Sequence, residues 1–191
     1  MRPNLKIAFV VFNDLTLLDF AGVYDTITRL KTLKFKNDLY WDICAMTDMV
    51  RDKHGFKIIP DKVRNNLGKY DAIIVPGGMG TRSLQNDSEF IEWIKTAQNI
   101  QYKISICTGG LILGAAGFLK GKRATTNYLE YDTLKQYCSE VVEERIVEDG
   151  DIITSGAVTS SIDLGLYLCE KWAGKEAKEK IREVIDYPFA K

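Results

Sequence analysis

The chain has 191 residues, 46% of them hydrophobic and 27% charged, and its 26 basic residues are matched by 26 acidic ones. One α/β domain of that length buries a large core, and zero net charge leaves no basic footprint for nucleic acid or for an anionic membrane surface. No apolar stretch reaches the roughly 18–20 residues that span a bilayer, and "MRPNLKIAFVVF" lacks a small-residue cleavage site, so a cytoplasmic protein is expected.

"LKIAFVVF" (5–12) is a continuous apolar run, the pattern of a strand buried on both faces. "TLLDFAGVYDTITRLKTL" (16–33) has helical spacing through Leu18, Gly22, Thr26 and Leu30. "LYWDICAMT" (39–47) alternates as a second strand, and "HGFKIIPDKV" (54–63) reads as a turn and a short extended piece. "YDAIIVPGGMG" (70–80) is a strand stopped by Pro76 and glycines. "SEFIEWIKTAQN" (88–99) opens with a Ser cap and an acidic first turn, a helix start. The strand "KISIC" (103–107) then runs into the helix "GGLILGAAGFL" (109–119), followed by extended "KRATTN" (122–127) and a helix, "EYDTLKQYC" (130–138). "VVEERIVEDGDIITSG" (141–156) is a hairpin whose turn holds Asp149-Gly150. Two helices, 160–174 and 175–187, end the chain; the last is charged and amphipathic, a solvated outer face. The alternation predicts a mostly parallel sheet with helices on both faces. With no linker, repeat or low-complexity stretch, residues 1–191 read as one domain.

The four cysteines, Cys44, Cys107, Cys138 and Cys169, are widely and irregularly spaced, and His54 is the single histidine. No metal site is expected from such spacing, and in a reducing compartment these are free thiols. No cofactor motif emerges either. "VPGGMG" (75–80) lacks the dinucleotide spacing, and "GFLKGKR" (117–123) is one residue short of a phosphate loop, with Arg123 where Ser or Thr is needed.

Cys107 stands apart. A strand that ends in a thiol and turns at once through Thr-Gly-Gly into a helix follows the logic of a nucleophile elbow. The helix amino end offers unpaired N–H groups and a partial positive charge, which favour thiolate. An isolated cysteine is ordinarily a core residue; the glycine context is what argues otherwise. The glycines of 77–80 admit two readings, a tight turn or backbone N–H groups aimed into a cleft. Asp19 lies amid apolar residues, where an acid is costly without a partner. It is either a solvated helix-face acid or a group at the sheet edge within reach of Cys107. His54, among charges and a glycine, reads as a solvated turn residue away from that edge, so acid–base work would fall to a carboxylate.

"LLDFAGVYD", "DAIIVPGGMG", "SICTGGLILGAAGFLKGKRATTNY" and "DIITSGAVTSSIDLGLYL" together resemble the ThiJ/PfpI superfamily (class I glutamine amidotransferase-like), nearly end to end and in order. The resemblance implies a flavodoxin-like three-layer sandwich, and the aspartate of "LLDFAG" resembles the isocyanide (isonitrile) hydratase branch. It implies Cys107 as nucleophile, Asp19 as its acid–base partner, and backbone N–H groups near Gly78 and Thr108 as oxyanion donors. It also implies a homodimer acting on a small molecule without cofactor, nucleic acid or membrane. Two positions depart from the pattern. Asn127 replaces the histidine of many relatives, which disfavours a Cys–His mechanism and places an amide where substrate or oxyanion would bind. Val23 replaces a frequent proline. Regulators of similar sequence carry a DNA-binding helix-turn-helix after this fold, whereas this sequence stops at "DYPFAK". A glyoxalase-like aldehyde hydratase and a redox-sensing or stress protein are the alternatives to isocyanide hydration.

Overall fold

The structure, a computed structural model, describes residues 4–188. Its strands are β1 (Leu5–Val10), β2 (Leu39–Ala45), β3 (Val50–Arg51), β4 (Lys57–Ile58), β5 (Lys62–Val63), β6 (Ala72–Val75), β7 (Tyr102–Ile106), β8 (Arg123–Ala124), β9 (Glu140–Val141), β10 (Ile146–Asp149) and β11 (Ile152–Ser155). Its helices are α1 (Leu17–Thr32), α2 (Thr81–Leu84), α3 (Ser88–Lys95), α4 (Gly109–Ala115), α5 (Tyr131–Leu134), α6 (Ser160–Ala173) and α7 (Lys175–Val184). Seven strands form the central sheet in the order β10-β11-β7-β6-β1-β2-β5, while β3-β4 and β8-β9 are small separate pairs. All pairings in the central sheet are parallel except β10 with β11.

Alternation along β1 divides the core. Ala8 and Val10 face a cluster completed by Phe90, Trp93 and Ile94 of α3 and Leu111–Leu113 of α4. Ile7 and Phe9 face the other cluster, with Val23, Ile27 and Leu30 of α1, Leu164 and Leu168 of α6, and Ile181 of α7. Both faces of the sheet are therefore covered, which is why β6 and most of β1 read as apolar runs. The result is the flavodoxin-like sandwich.

Several boundaries differ from the sequence expectation. The buried stripe of α1 begins at Asp19, not Leu18: Asp19 is fully buried while Leu18 is 49% exposed. The segment 54–63 supplies β4, the second strand of a two-residue hairpin opened by β3, and then the sheet edge β5. The predicted helix 130–138 keeps a single α-helical stretch, α5, and α3 stops at Lys95. Cys107 lies one residue past the end of β7, and the hairpin turn falls at Gly150-Asp151, because Asp149 pairs with Ile152.

The far end of the nucleophile strand is pinned by a charge. Lys103 of β7 is buried, and its Nζ donates to the Asp151 carboxylate at 2.6 Å and to the Ile100 carbonyl at 3.0 Å. Removing the carboxylate strands the ammonium, whereas an apolar replacement of the lysine does not. Asp151→Ala is expected to cost about 2–4 kcal/mol, and Lys103→Met distinctly less. Chemical denaturation of both variants checks the order, and an Asp151→Ala protein as stable as wild type would refute it.

Candidate active site

Open α/β sheets bind ligands at the carboxyl edge where the chain switches direction. Here that point lies between β1 and β6, the strands from which the chain winds outward to either side. The ends of β1, β6 and β7 deliver Asp19, the Gly77-Gly78 turn and Cys107 to one place.

Cys107 adopts φ 52°, in the left-handed region, a conformation that costs a non-glycine residue roughly 1–2 kcal/mol. Its backbone is held on both sides. The N–H donates to the carbonyls of Ser155 and Gly156 at 3.1 and 2.9 Å, and the carbonyl accepts from Thr126 Oγ1 at 2.7 Å. The turn lifts the sulfur out of the strand's line, as an elbow does.

The glycines around it answer to crowding. A Cβ at Gly109 would lie 2.2 Å from the Val75 carbonyl oxygen, so the start of α4 can press against the end of β6 only with no side chain there. A Cβ at Gly77 would strike the Thr108 nitrogen, Asp19 Oδ2 and Cys107 Cβ, all within 2.8 Å. These glycines are what lets the carboxyl and the cysteine share one small space.

Asp19 is fully buried at the start of α1. Its Oδ2 accepts the Gly77 N–H at 2.8 Å, while Oδ1 has no hydrogen-bond partner. Burial raises its pKa from the usual 3.8 to about 7, against the lowering effect of the Gly77 N–H and of the Cys107 thiol beside it. Cys107 is pushed up to about 11, by burial first and by the Asp19 charge second; the Asn127 amide and the Thr108 backbone N–H and hydroxyl pull the other way. The helix amino end therefore does not produce a free thiolate. At 4% exposure the thiol has lost the water that would solvate its charge, and a carboxylate stands next to it. Burial and the neighbouring carboxylate outweigh the pull of the helix end toward thiolate, and cysteine and aspartate form a coupled pair in which double ionisation is disfavoured.

Thr108 and Gly78 face each other. The Gly78 N–H donates to Thr108 Oγ1 at 3.0 Å, and Thr108 Oγ1 in turn lies 3.2 Å from the Gly78 carbonyl. The Gly78 donor is thus engaged, and an incoming oxygen or nitrogen would have to replace the threonine hydroxyl. Asn127 is half-buried and directs Nδ2 at Cys107 Sγ, 3.5 Å away. Cys107, Thr108, Gly78 and Asn127 open on a cleft of about 650 Å³, walled by apolar Leu17, Leu18, Ala21 and Val158. Asp19 lies beneath that surface.

One placement departs in part from the sequence reading: His54 is the exposed turn residue expected, but it is not away from the sheet edge. His54 lines this same cleft, at the exposed tip of the β3-β4 hairpin. Two-residue strands leave no periodic signal, so nothing in the spacing pointed to it. The remaining thiols stay apart from the cleft: Cys44 and Cys169 are fully buried, and Cys138 is partly exposed. Among the described residues, no group of three His, Cys, Asp or Glu side chains gathers as a metal site, and no helix is long and apolar enough to cross a membrane.

Fold and site together define a flavodoxin-like α/β protein with a cysteine on a nucleophile elbow and a buried acid beside it. The chain belongs to the DJ-1/PfpI family, whose pattern matches residues 5–171. It is 33% identical to an isonitrile hydratase of Pseudomonas putida over 185 residues, 96% of this chain and 78% of that one. It is 29% identical to Protein DJ-1 homolog A of Arabidopsis thaliana over 138 residues, covering 69% of this chain and 35% of the relative. Among solved structures it resembles a ThiJ/PfpI family protein from Pseudomonas syringae, with TM-score 0.88 and 27% identity, over 98% of this chain and 78% of that one.

A raised carboxyl pKa is a stability statement. The folded protein binds the Asp19 proton more tightly than the unfolded chain does, so this contribution is present in full below pH about 4 and is lost as pH rises through about 7. Asp19→Asn removes the penalty and is expected to stabilise the fold at pH 8, by at most about 4 kcal/mol. The gain should shrink toward pH 4. Thermal melts across that range check it, and a pH-independent difference would contradict the assigned pKa.

Proposed function

We propose that the protein hydrates isocyanides to N-substituted formamides, with Cys107 as nucleophile and Asp19 as the proton-handling group. The observation that carries this reading is the pairing of an elbow thiol with a buried carboxyl whose pKa stands at about 7. Similarity to the Pseudomonas putida isonitrile hydratase over nearly the whole chain supports it. His54, exposed at the hairpin tip, has no part in the proton transfers.

The terminal carbon of R–N≡C accepts both a nucleophile and a proton, so the reaction needs the two to arrive together. Above pH about 7 the pair retains one proton, and shifting it from sulfur to carboxyl arms both groups at once. The thiolate attacks the carbon, Asp19 delivers its proton to the same atom, and Cys107–S–CH=N–R forms with Asp19 ionised. The carboxylate then takes a proton from water as its oxygen adds to that carbon, and returns the proton to nitrogen. Collapse of Cys107–S–CH(OH)–NH–R sends the hydroxyl proton to Asp19 and expels the thiolate with the formamide. Atoms and charges balance, and the one-proton pair is restored. Thr108 flanks the reacting carbon as a donor, and Gly78 joins it once the incoming atom replaces the threonine hydroxyl that now holds its N–H. The apolar wall of Leu17, Leu18, Ala21 and Val158 accepts the substituent R. The reading includes a cytoplasmic homodimer as the working unit.

Incubation with a panel of isocyanides and 2-oxoaldehydes, read by mass spectrometry, tests the reaction and separates it from glyoxalase-like chemistry. Wild type is expected to turn over isocyanides, Asp19→Glu to lose about 10²-fold through displacement of the carboxyl, and Asp19→Asn to lose about 10²–10⁴-fold. Cys107→Ala should be inactive. His54→Ala should change KM while kcat stays within about threefold, as expected of a rim residue that moves no proton. Hydration by Asp19→Asn at near wild-type rate would end the proposal.

A further inference from the structure

Asn127 is fixed by two hydrogen bonds of different kinds. Its Oδ1 accepts the Leu129 N–H at 3.0 Å, capping the short turn that follows, and this settles which end of the amide faces the cysteine. Its Nδ2 then meets Cys107 Sγ at 3.5 Å. The Gly77 and Gly78 donors already have oxygen acceptors, Asp19 Oδ2 at 2.8 Å and Thr108 Oγ1 at 3.0 Å. The Asn127 amide differs from these two, because its acceptor is the atom that reacts, and from Thr108, which also reaches the sulfur, because it comes from outside the elbow.

What happens to that acceptor follows from sulfur chemistry. A thiolate is a good hydrogen-bond acceptor, and a sulfur bonded to an imidate carbon is a poor one. When the covalent intermediate forms, Nδ2 loses its partner, and a new basic atom, the imidate nitrogen, stands two bonds from the sulfur. A half-buried amide N–H without an acceptor is unfavourable, so the exchange of partners is driven. An amide cannot surrender a proton at any working pH, so it can only polarise the C=N bond. That makes the carbon more electrophilic toward water.

We propose that Asn127 is a catalytic residue of the second half-reaction: the Nδ2 that holds the thiolate passes to the thioimidate nitrogen and activates the intermediate for hydration. The inference rests on the hydratase reading. It gives position 127 a distinct role, as a neutral donor and not a base.

Two variants separate this from a structural role. Asn127→Ser removes the amide donor but keeps an oxygen to cap Leu129, and Asn127→Ala removes both. Each is mixed with an isocyanide, quenched in acid at successive times and weighed intact. In both, hydration of the intermediate is expected to slow by at least about tenfold, so a protein-plus-isocyanide adduct on Cys107 accumulates that wild type does not show. Variants that hydrate at wild-type rate would overturn the inference, as would variants that slow without accumulating the adduct. In those cases wild-type turnover leaves the hydratase reading standing. A wild type that makes no formamide overturns both.

Discussion

One buried carboxyl organises this molecule. Asp19 has a single backbone hydrogen bond, to Gly77, for two oxygens withdrawn from water, and the group beside it is a cysteine in a left-handed turn. Burying an acid so poorly satisfied is unfavourable unless it keeps its proton. The surrounding structure accepts that. Gly77 gives up its side chain to admit the carboxyl, Gly109 gives up its own so that α4 can close on β6, and α1 turns Leu18 outward to bring Asp19 inward. Stability is traded for a proton that can be moved near neutral pH.

The proposed chemistry uses no histidine base, although His54 lines the cleft. The acid beside the sulfur is hidden, and the groups that touch the sulfur from outside are neutral donors: the Asn127 amide and the Thr108 N–H and hydroxyl. Neutral donors stabilise negative charge on sulfur without competing for the proton, and in the proposed reaction proton transfer runs along one line between Cys107 and Asp19. A histidine at position 127 would add a third titrating group to that line. The absence of one suits the proposed reaction, which delivers a proton to carbon and takes it back from water.

Much of this was legible in the sequence because the signals are local. β6 and most of β1 are apolar runs, as strands covered on both faces tend to be, and the Cys-Thr-Gly-Gly stretch marks the elbow by the residues the turn excludes. Asp19 stood out as an acid in an apolar setting. What could not be read is tertiary. His54 reaches the cleft through a hairpin with two-residue strands, too short to alternate. The helix end that favours thiolate is a local signal, whereas the burial that outweighs it is set by tertiary packing that no local pattern reports. The orientation of Asn127 depends on the Leu129 N–H, a bond that spacing alone does not reveal.

The account stands or falls on the proton of Asp19. Its carboxyl carbon, isotopically labelled and assigned by comparison with Asp19→Asn, can be followed by NMR as pH is raised. The midpoint predicted is about 7, more than three units above an ordinary aspartate at 3.8. A carboxyl already ionised at pH 5 would mean that Asp19 carries no proton to give, and the paired chemistry with Cys107 would have no acid.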